Sequence, residues 1–361
     1  MLPLISVILP VHDGRATLPG LLDELLRQNY PFDRFEILVV DCGSTDGTAD
    51  LVRRRYSGKY SGVRLLAGPN RCAATGRNLG IRAARGQVLV FIDGHCAVPS
   101  RNLLEDTAAI LSRTGAGCLC RPQPLRAPAE TRTGEVIAQA RSTWLGLSRG
   151  SRFGDLQTSA FVDPVQGGST YRREIFDRVG LFDESFDACA EDDFNVRVRK
   201  AGIRAYTDPR LAVDDRPPGT LRALTAQMIA RGRGLMRLAR KHPGAAPLRN
   251  LAPLAVLVAL LLAPLAWLLL PRLPALLASA PIALVIAAVA VASLQLGIRH
   301  GLPYTLKAPW IFVAMGCGVG AGLVIEALSP AKSAPAPAPA PRVMPRPKPE
   351  LEPMQQTERA A

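Results

Sequence analysis

The chain lacks several patterns that would place it in common protein classes. Its seven cysteines include no Cys-x-x-Cys pair, and their odd number fits free thiols in a reducing compartment rather than a disulfide framework. No Gly-x-Gly-x-x-Gly follows the first predicted strand, which argues against a dinucleotide-dependent oxidoreductase. The start, Met-Leu-Pro-Leu-Ile-Ser-Val, has no basic segment ahead of an apolar one, so we expect a strand there and not a signal peptide.

Acidic residues are absent between positions 216 and 250, although the formal net charge of the whole chain is +14. The segment has no interleaved aromatic residues, so we do not expect nucleic acid as a partner. It directly precedes an apolar stretch, where positive charge favours the cytoplasmic side of a membrane and anionic lipid. Its basic residues are Arg216, Arg222, Arg231, Arg233, Arg237, Arg240, Lys241 and Arg249.

Within this basic segment, residues 220–241 carry leucines and methionine at helical spacing among arginines. The pattern predicts an amphipathic helix that lies on a bilayer surface, with a helix packed on a soluble domain as the alternative.

Three long apolar stretches follow, at 251–270, 273–298 and 308–328, and each is near or above the roughly 20 residues that cross a bilayer. The sequence therefore predicts a multi-pass protein of the cell (inner or plasma) membrane. Arg299, His300 and Lys307 mark the second loop as cytoplasmic. Three crossings would place the Pro/Ala-rich tail, 329–361, outside the cytoplasm. Lys332, Arg342, Arg346 and Lys348 in the tail conflict with that placement, so a re-entrant segment remains an alternative.

The first half of the chain alternates apolar runs with helical patterns, which predicts an α/β fold with a mainly parallel sheet flanked by helices. We expect further helices at 133–147, 173–179 and 192–201, and a returning strand at 203–207. The early strands are predicted at 5–9, 36–40, 63–66 and 88–92, and the helices between them at 17–28, 48–56 and 75–84.

Chemistry-bearing residues follow the predicted strands. Asp93 and His95 come directly after the fourth strand, where they either form a metal rim suited to Mn²⁺ or Mg²⁺ or belong to an ordinary turn. Asp41 ends the second strand and opens a Gly/Ser/Thr/Asp loop. Later, Glu191, Asp192 and Asp193 begin a helix; they either complement its dipole or include a general base. Residues placed to meet phosphate or base are Arg71, Arg77 and Asn78.

Together these motifs resemble family-2 glycosyltransferases over about residues 4 to 240, and the basic helix followed by apolar spans resembles the succinoglycan-biosynthesis branch. The motifs are Pro10-Val11, Val40-Asp41-Cys42-Gly43-Ser44-Thr45-Asp46-Gly47-Thr48, Arg77-Asn78-Leu79-Gly80, Asp93-Gly94-His95, Gly167-Gly168-Ser169-Thr170 and Glu191-Asp192-Asp193.

The resemblance implies a GT-A fold over residues 1–215, a basic interfacial region at 216–250, a transmembrane region at 251–328 and a disordered tail. It also implies inverting transfer of a sugar from a nucleotide-diphospho-sugar, usually UDP-linked. Because the basic helix and the apolar spans would hold the active site against the inner leaflet, we expect a membrane-associated, lipid-linked saccharide acceptor. Asp192 matches the catalytic base, with Glu191 beside it, and Asp93 and His95 the metal ligands. The donor site would comprise Pro10, Val11, Asp13, Asp41, Arg71, Arg77, Asn78 and Asp93, and acceptor or diphosphate contacts would come from Gly168, Ser169, Asp193, Gln227 and Arg231.

Two departures from the family pattern bear on function. The Gln-x-x-Arg-Trp signature of processive synthases is not met, because Gln227 is followed by Met-Ile-Ala-Arg. A metal-binding histidine common late in the domain also has no match, since Asp214 and Asp215 stand near that place. Single-sugar transfer is therefore the leading prediction. The alternatives are a processive polysaccharide synthase and a membrane-anchored nucleotide-binding protein without transferase activity.

Overall fold

The computed structural model describes residues 2–57, 62–68, 73–125, 131–146, 158–244, 271–329 and 342–343, with isolated positions between 258 and 269. The described chain forms one mixed, mainly parallel sheet flanked by helices, so the predicted fold class is confirmed. Several predicted features lie outside the described residues: Arg71, most of the first apolar stretch, and nearly all of the C-terminal tail.

Four parallel strands form the centre of the sheet in the order β4-β1-β2-β3. Side chains of β1 and β2 are buried on both faces, which explains why these strands appear in the sequence as nearly continuous apolar runs. The strands are β1 (Ile5–Val11), β2 (Phe35–Asp41), β3 (Val63–Ala67) and β4 (Val88–Phe91).

The second half of the sheet is built from short strands. The strand beside β4 is β7, which runs antiparallel to both β4 and β5, while β8 is parallel to β5. Of these four strands, the sequence analysis anticipated β8 alone, because three-residue strands and the polar start of β7 carry little periodicity. They are β5 (Cys118–Cys120), β6 (Ala160–Val162), β7 (Gly168–Arg172) and β8 (Ala205–Thr207); a two-residue strand, β9 (Arg342–Val343), pairs with β3.

The helices of the α/β domain cover both faces of the sheet. Most begin and end within a few residues of their predicted bounds, but α4 was not predicted. The helices are α1 (Leu18–Leu26), α2 (Thr48–Val52), α3 (Ala73–Ala83), α4 (Leu103–Thr114), α5 (Arg132–Ser142), α6 (Glu174–Val179) and α7 (Ala190–Lys200).

Successive side chains of β1 point to opposite faces of the sheet, so they contribute to two separate parts of the core. Val7 and Leu9 pack on the same side as Leu22 of α1, whereas Ile8 packs against α3 on the other side. The close approach of α3 depends on Gly80, because a β-carbon there would lie 2.3 Å from Cγ2 of Ile8. This packing fixes α3 across the sheet and so sets where its polar residues lie.

Three further helices form a separate apolar cluster with α5: α8 (Leu221–Lys241), α9 (Arg272–His300) and α10 (Leu302–Leu328). Within the described residues, Ser279–His300 and Leu302–Leu328 are long and apolar enough to cross a membrane. The prediction of a loop that contains Lys307 is wrong. Gly301, with φ +99°, alone separates α9 from α10, and Lys307 lies inside α10.

A buried carboxylate, Glu36, connects the start of β2 to its neighbours. Its oxygens accept hydrogen bonds from Ser6 Oγ (2.8 Å) and the Arg85 N–H (2.6 Å), and pair with Arg64 Nη1 (3.2 Å) and Arg85 Nε (3.1 Å). Burial by itself raises the pKa of Glu36, but these hydrogen bonds and the charge of Arg85 outweigh it and lower the pKa below the ordinary value.

We expect Glu36→Gln to lower the free energy of unfolding at pH 7 by roughly 2–4 kcal/mol, since charged hydrogen bonds are weakened in a buried site. Because the folded pKa is depressed, this contribution is present above the unfolded pKa of about 4.3 and is lost as pH falls through the folded pKa. Thermal unfolding of the detergent-solubilised chain at several pH values measures this contribution to stability. The control is Glu174→Gln, which changes an exposed residue. If both variants lost the same free energy of unfolding at pH 7, the prediction would be contradicted.

Candidate active site

The carboxyl ends of β1 and β2 carry two loops that are bonded to each other. Asp13 Oδ1 accepts a hydrogen bond from the Thr45 N–H (2.7 Å), and the Asp13 N–H donates to Ser44 Oγ (2.9 Å). Asp13 itself has φ +51°, a conformation that aspartate tolerates better than most residues. The predicted donor-site residue Asp13 is therefore part of the framework that shapes this edge of the sheet.

Asp41 ends β2 at the floor of this edge and is 7% exposed. Its Oδ1 accepts a hydrogen bond from the Ser44 N–H at 3.3 Å. Pro10 and Val11 lie beside it at the end of β1, where both are buried. Pro10 packs near Gly76 of α3, so these two residues contribute shape and main-chain groups rather than charged side chains.

Arg77 joins two acidic residues that are far apart in sequence. Its Nη2 lies 2.8 Å from Asp93 Oδ1 and 2.8 Å from Glu191 Oε1, and its side chain is nearly buried. The guanidinium carbon also lies 5.8 Å from the centre of the Phe182 ring. Arg77 therefore connects the end of β4 to the first turn of α7, and the sequence had placed Arg77 only as a phosphate or base contact.

Asn78, the next residue of α3, holds a loop. Its Nδ2 donates to the Phe182 carbonyl (2.9 Å) and to Glu184 Oε1 (2.7 Å), and its Oδ1 accepts from the Phe182 N–H (3.0 Å). Asn78 is almost completely buried. These bonds position the segment that leads into α7, so the structure places Asn78 as a support of the site rather than at its surface.

His95 is brought next to Asp215, a residue that sequence motifs did not single out as a ligand. His95 Nε2 lies 3.0 Å from Asp215 Oδ1. The contact is held by main-chain hydrogen bonds between Ala97 and Asp214 in both directions, each 2.9 Å long. With the buried Cys96, these side chains offer ligand atoms within 4.8 Å of one another. The carboxylate stands in the chain near the place where the family pattern has histidine, which is the signal that could have revealed it.

The three acids that begin α7 have different surroundings. Glu191 is paired with Arg77, as described above. The side chain of Asp192 is partly exposed, and across the described part of the chain its carboxylate makes no hydrogen bond or ion pair. Asp192 therefore presents carboxylate oxygens to the solvent side of the site.

Asp193 points the other way and is fully buried. Its oxygens contact Arg197 Nη2 (2.9 Å), Lys241 Nζ (2.8 Å) and His242 Nε2 (2.8 Å). A carboxylate enclosed by three such partners cannot also contact an acceptor, so the predicted acceptor or diphosphate contact at Asp193 is corrected to a structural ion cluster. Helical periodicity explains the difference, since successive residues of a helix point about 100° apart.

The remaining predicted contacts lie around α7. Gly168 begins β7 and packs so closely on Asn195 that a β-carbon would lie 2.4 Å from its Oδ1. Ser169 is buried, and its Oγ has no hydrogen-bond partner in the described chain. On α8, the Arg231 carbonyl accepts a weak bond from Cys189 Sγ (3.8 Å) at the start of α7, whereas Gln227 is exposed one turn earlier.

Comparison with known proteins identifies a family domain in the first half of the chain. Residues 6–180 match the family model described as glycosyl transferase family 2. Glycosyltransferase AglE of Haloferax volcanii is 36% identical over 115 residues, which is 32% of this chain and 37% of that one. The chain thus spans little more than a third of that relative's length.

Two relatives match over more of their length. The Succinoglycan biosynthesis protein ExoA of Rhizobium meliloti is 28% identical over 69% of this chain and 74% of its own. A dolichyl N-acetyl-alpha-D-glucosaminyl phosphate 3-beta-D-2,3-diacetamido-2,3-dideoxy-beta-D-glucuronosyltransferase of Methanococcus voltae is 25% identical over 64% of this chain and 73% of its own.

A solved structure shares the fold. The mannosyltransferase of Pyrobaculum calidifontis, in complex with GDP-Man and Mn²⁺, superposes with a TM-score of 0.63 and 22% identity over 91% of this chain and 88% of that one. This likeness covers the C-terminal helices as well as the sheet. The structural likeness shows that the chain has a GT-A-type fold. The family match shows that residues 6–180 form a glycosyl transferase family 2 domain.

Proposed function

We propose that this protein transfers one sugar, with inversion, from a nucleotide-diphospho-sugar to a membrane-associated, lipid-linked saccharide acceptor. The observation that carries the proposal is the placement of Arg77 between Asp93 and Glu191. It gathers the end of β4 and the start of α7, with Asp192, at one edge of the sheet. In open α/β sheets this edge is where ligands bind.

The relatives support the substrate classes. The Pyrobaculum mannosyltransferase was solved with a nucleotide sugar and Mn²⁺. The name of the Methanococcus protein specifies a dolichyl-phosphate-linked acceptor, and that of the Rhizobium protein specifies succinoglycan biosynthesis. We infer a role in cell-surface polysaccharide or glycolipid synthesis, at the cytoplasmic face of the cell membrane. Residues 1–215 form the catalytic domain in this proposal, and 216–250 the membrane-facing region.

The donor nucleotide is proposed to occupy the edge above β1 and β2. The Asp41 carboxylate lies at its floor and accepts a hydrogen bond from a polar group of the base. The loop that follows, residues 42–48, is held open by its bonds to Asp13 and presents main-chain N–H groups to negative charge.

In the proposed reaction, Asp192 takes the proton of the acceptor hydroxyl as that oxygen bonds to the anomeric carbon. The bond from the anomeric carbon to the diphosphate oxygen breaks on the opposite face, which inverts the configuration. Asp192 suits this task because its side chain is partly exposed and its carboxylate makes no hydrogen bond or ion pair with the described chain. Glu191 and Asp93 are prevented from repelling each other by the Arg77 guanidinium between them.

A divalent metal fits the residues at the end of β4. His95 Nε2 and Asp215 Oδ1 lie 3.0 Å apart, so imidazole and carboxylate donors lie together. Asp93, two residues before His95 in the chain, is paired with Arg77 in this structure. Such mixed donors accept Mn²⁺, and carboxylate-rich sites accept Mg²⁺. We propose Asp93, His95 and Asp215 as the metal-holding residues. A bound cation would supply positive charge that stabilises the departing diphosphate.

We expect Asp192→Asn to reduce transfer by at least about 100-fold, since the amide cannot accept the proton, while nucleotide binding stays within about twofold. The checks are turnover with a radiolabelled nucleotide sugar and membrane extract as acceptor, and nucleotide affinity by calorimetry.

Asp177→Asn, on the exposed face of α6, is the matched control and should keep full turnover. Near-normal turnover in Asp192→Asn would remove this residue from the base role. Asp193→Asn should instead lower thermal stability, because it breaks a buried ion cluster.

We expect His95→Ala and Asp215→Ala each to weaken Mn²⁺ binding by roughly 10–100-fold or more, since removing even a residue that supports a metal ligand costs this much affinity. Electron paramagnetic resonance of unbound Mn²⁺, measured with UDP present, gives this affinity independently of turnover. His300→Ala, a histidine at the far end of α9, is the control. Unchanged Mn²⁺ affinity in both variants would contradict the assignment of these ligands.

A further inference from the structure

The last helix, α10, lies directly against α8 along the second half of its length. A β-carbon at Gly322 would lie 2.1 Å from the Ile229 carbonyl oxygen, and one at Gly232 would lie 2.2 Å from that of Val319. A β-carbon at Gly318 would lie 2.7 Å from the Met228 β-carbon. Since Gly318 meets Met228 and Gly322 meets Ile229 and Gly232, the two helices run in the same direction, backbone against backbone.

An ion cluster fixes the end of α10 to α8. The buried Glu326 accepts from Arg233 Nε (3.0 Å), Arg237 Nε (2.6 Å) and Arg237 Nη2 (3.0 Å). Arg240 Nη2 donates to the Ala327 carbonyl at 2.7 Å. Arg237 also donates from Nη1 to the Ser185 carbonyl (2.6 Å), in the loop that leads to α7. The last turn of α10 is therefore held at the catalytic domain.

The first half of α10 is held by the catalytic domain as well. Ala308, Ile311 and Phe312 belong to the same buried cluster as Val136 and Ile137 of α5. Close to the α9–α10 turn, Trp144 Nε1 donates to Gln295 of α9 at 3.1 Å. Both halves of α10 thus contact elements that belong to, or pack on, the α/β domain.

The opposite face of α10 is apolar along its whole length. From Leu302 to Cys317 its exposed residues recur every three or four positions, as one stripe of a helix does, and the half-buried Ala321 and Val324 continue the stripe to Ile325 and Leu328. No charged residue interrupts the stripe, and Lys307 stands next to its beginning. The most exposed members are Leu302, Leu306, Trp310, Val313, Cys317, Ile325 and Leu328.

A membrane-crossing orientation of α10 conflicts with these contacts. Because α8 runs beside it, α8 would enter the hydrocarbon too, and α8 carries six basic residues. Each arginine or lysine at the bilayer centre costs about 2.5–3.5 kcal/mol on insertion scales, and one glutamate cannot compensate all of them. The other side of α8 packs on the domain, with Gly234 against the Ala188 carbonyl.

We propose that α10 does not cross the membrane but lies in its surface, with the apolar stripe in the headgroup–acyl boundary of an anionic bilayer. Basic side chains near the stripe, including Arg299, His300 and Lys307, match that surface in charge. Since Ser329 follows α10 next to the catalytic domain, the C-terminal tail begins on the same side of the membrane as that domain. The basic residues of the tail then agree with the positive-inside rule.

Depth measurements along α10 test the orientation. Spin labels are placed at Leu306→Cys, native Cys317 and Leu328→Cys in the full chain, the first and last in a Cys317→Ser background. The vesicles contain phosphatidylethanolamine and phosphatidylglycerol in about a 3:1 ratio. Leu306 and Leu328 are 22 residues apart, so a crossing helix would separate their depths by roughly 33 Å.

The expected result is three depths that agree within about 5 Å, at roughly 5–10 Å below the headgroups. A label at position 317 near the bilayer centre, with the outer two near opposite surfaces, would overturn the proposal. Shielding of all three labels from both oxygen and a water-soluble nickel chelate would also overturn it, because it would show a protein partner on the stripe. The Cys317→Ser chain, treated with the same spin label, reports background from the other cysteines.

The side of the tail is tested separately. Gln355→Cys in the tail and Asp177→Cys in the catalytic domain are reacted with a membrane-impermeant maleimide, each in the Cys317→Ser background. We expect both to react in inverted membrane vesicles and neither in intact cells. Reaction of Gln355→Cys in intact cells alone would place the tail on the opposite side and overturn the proposal. Neither test depends on the proposed sugar transfer.

Discussion

The double ion pair of Arg77 is the interaction on which the site depends. One guanidinium nitrogen lies 2.8 Å from Asp93 and 2.8 Å from Glu191, which are almost one hundred residues apart in sequence. Two carboxylates brought this close would repel each other, and the repulsion would be strong because the site is partly buried. With Arg77 between them, the β4 edge and the start of α7 form one surface. Because Gly80 packs closely against Ile8, the position of α3 on the sheet is fixed, and with it the position of the Arg77 guanidinium.

Neighbouring polar residues divide into those that hold the fold and those that face the site. Asn78 holds the loop at Phe182 and Glu184, and Asp193 gathers Arg197, Lys241 and His242. Their sequence neighbours Arg77 and Asp192 point elsewhere. Within the Glu-Asp-Asp motif, Asp192 thus faces the site and the adjacent Asp193 is structural, because successive residues of a helix point in different directions.

Asp193 also connects the site to the C-terminal helices. Lys241 and His242, at the end of α8, contact the Asp193 carboxylate, and Arg237 of α8 contacts both Glu326 and the loop before α7. Ion pairs on α8 thus link it to α7 on one side and to α10 on the other. These contacts fix the positions of the three helices relative to one another.

The sequence by itself determined the parallel centre of the sheet, because strands buried on both faces must be apolar at nearly every position, as Phe35–Asp41 is. It also located Asp41 and Asp93, since polar residues directly after such strands fall at one edge. The Glu-Asp-Asp motif was found by its resemblance to the family pattern. Only the tertiary structure decided that His95 meets Asp215, that Asp193 is structural, and that α10 lies beside α8. Each of these depends on contacts between segments distant along the chain. Periodicity records how apolar a helix is, but the charge on the helix packed beside it determines whether it can enter a bilayer.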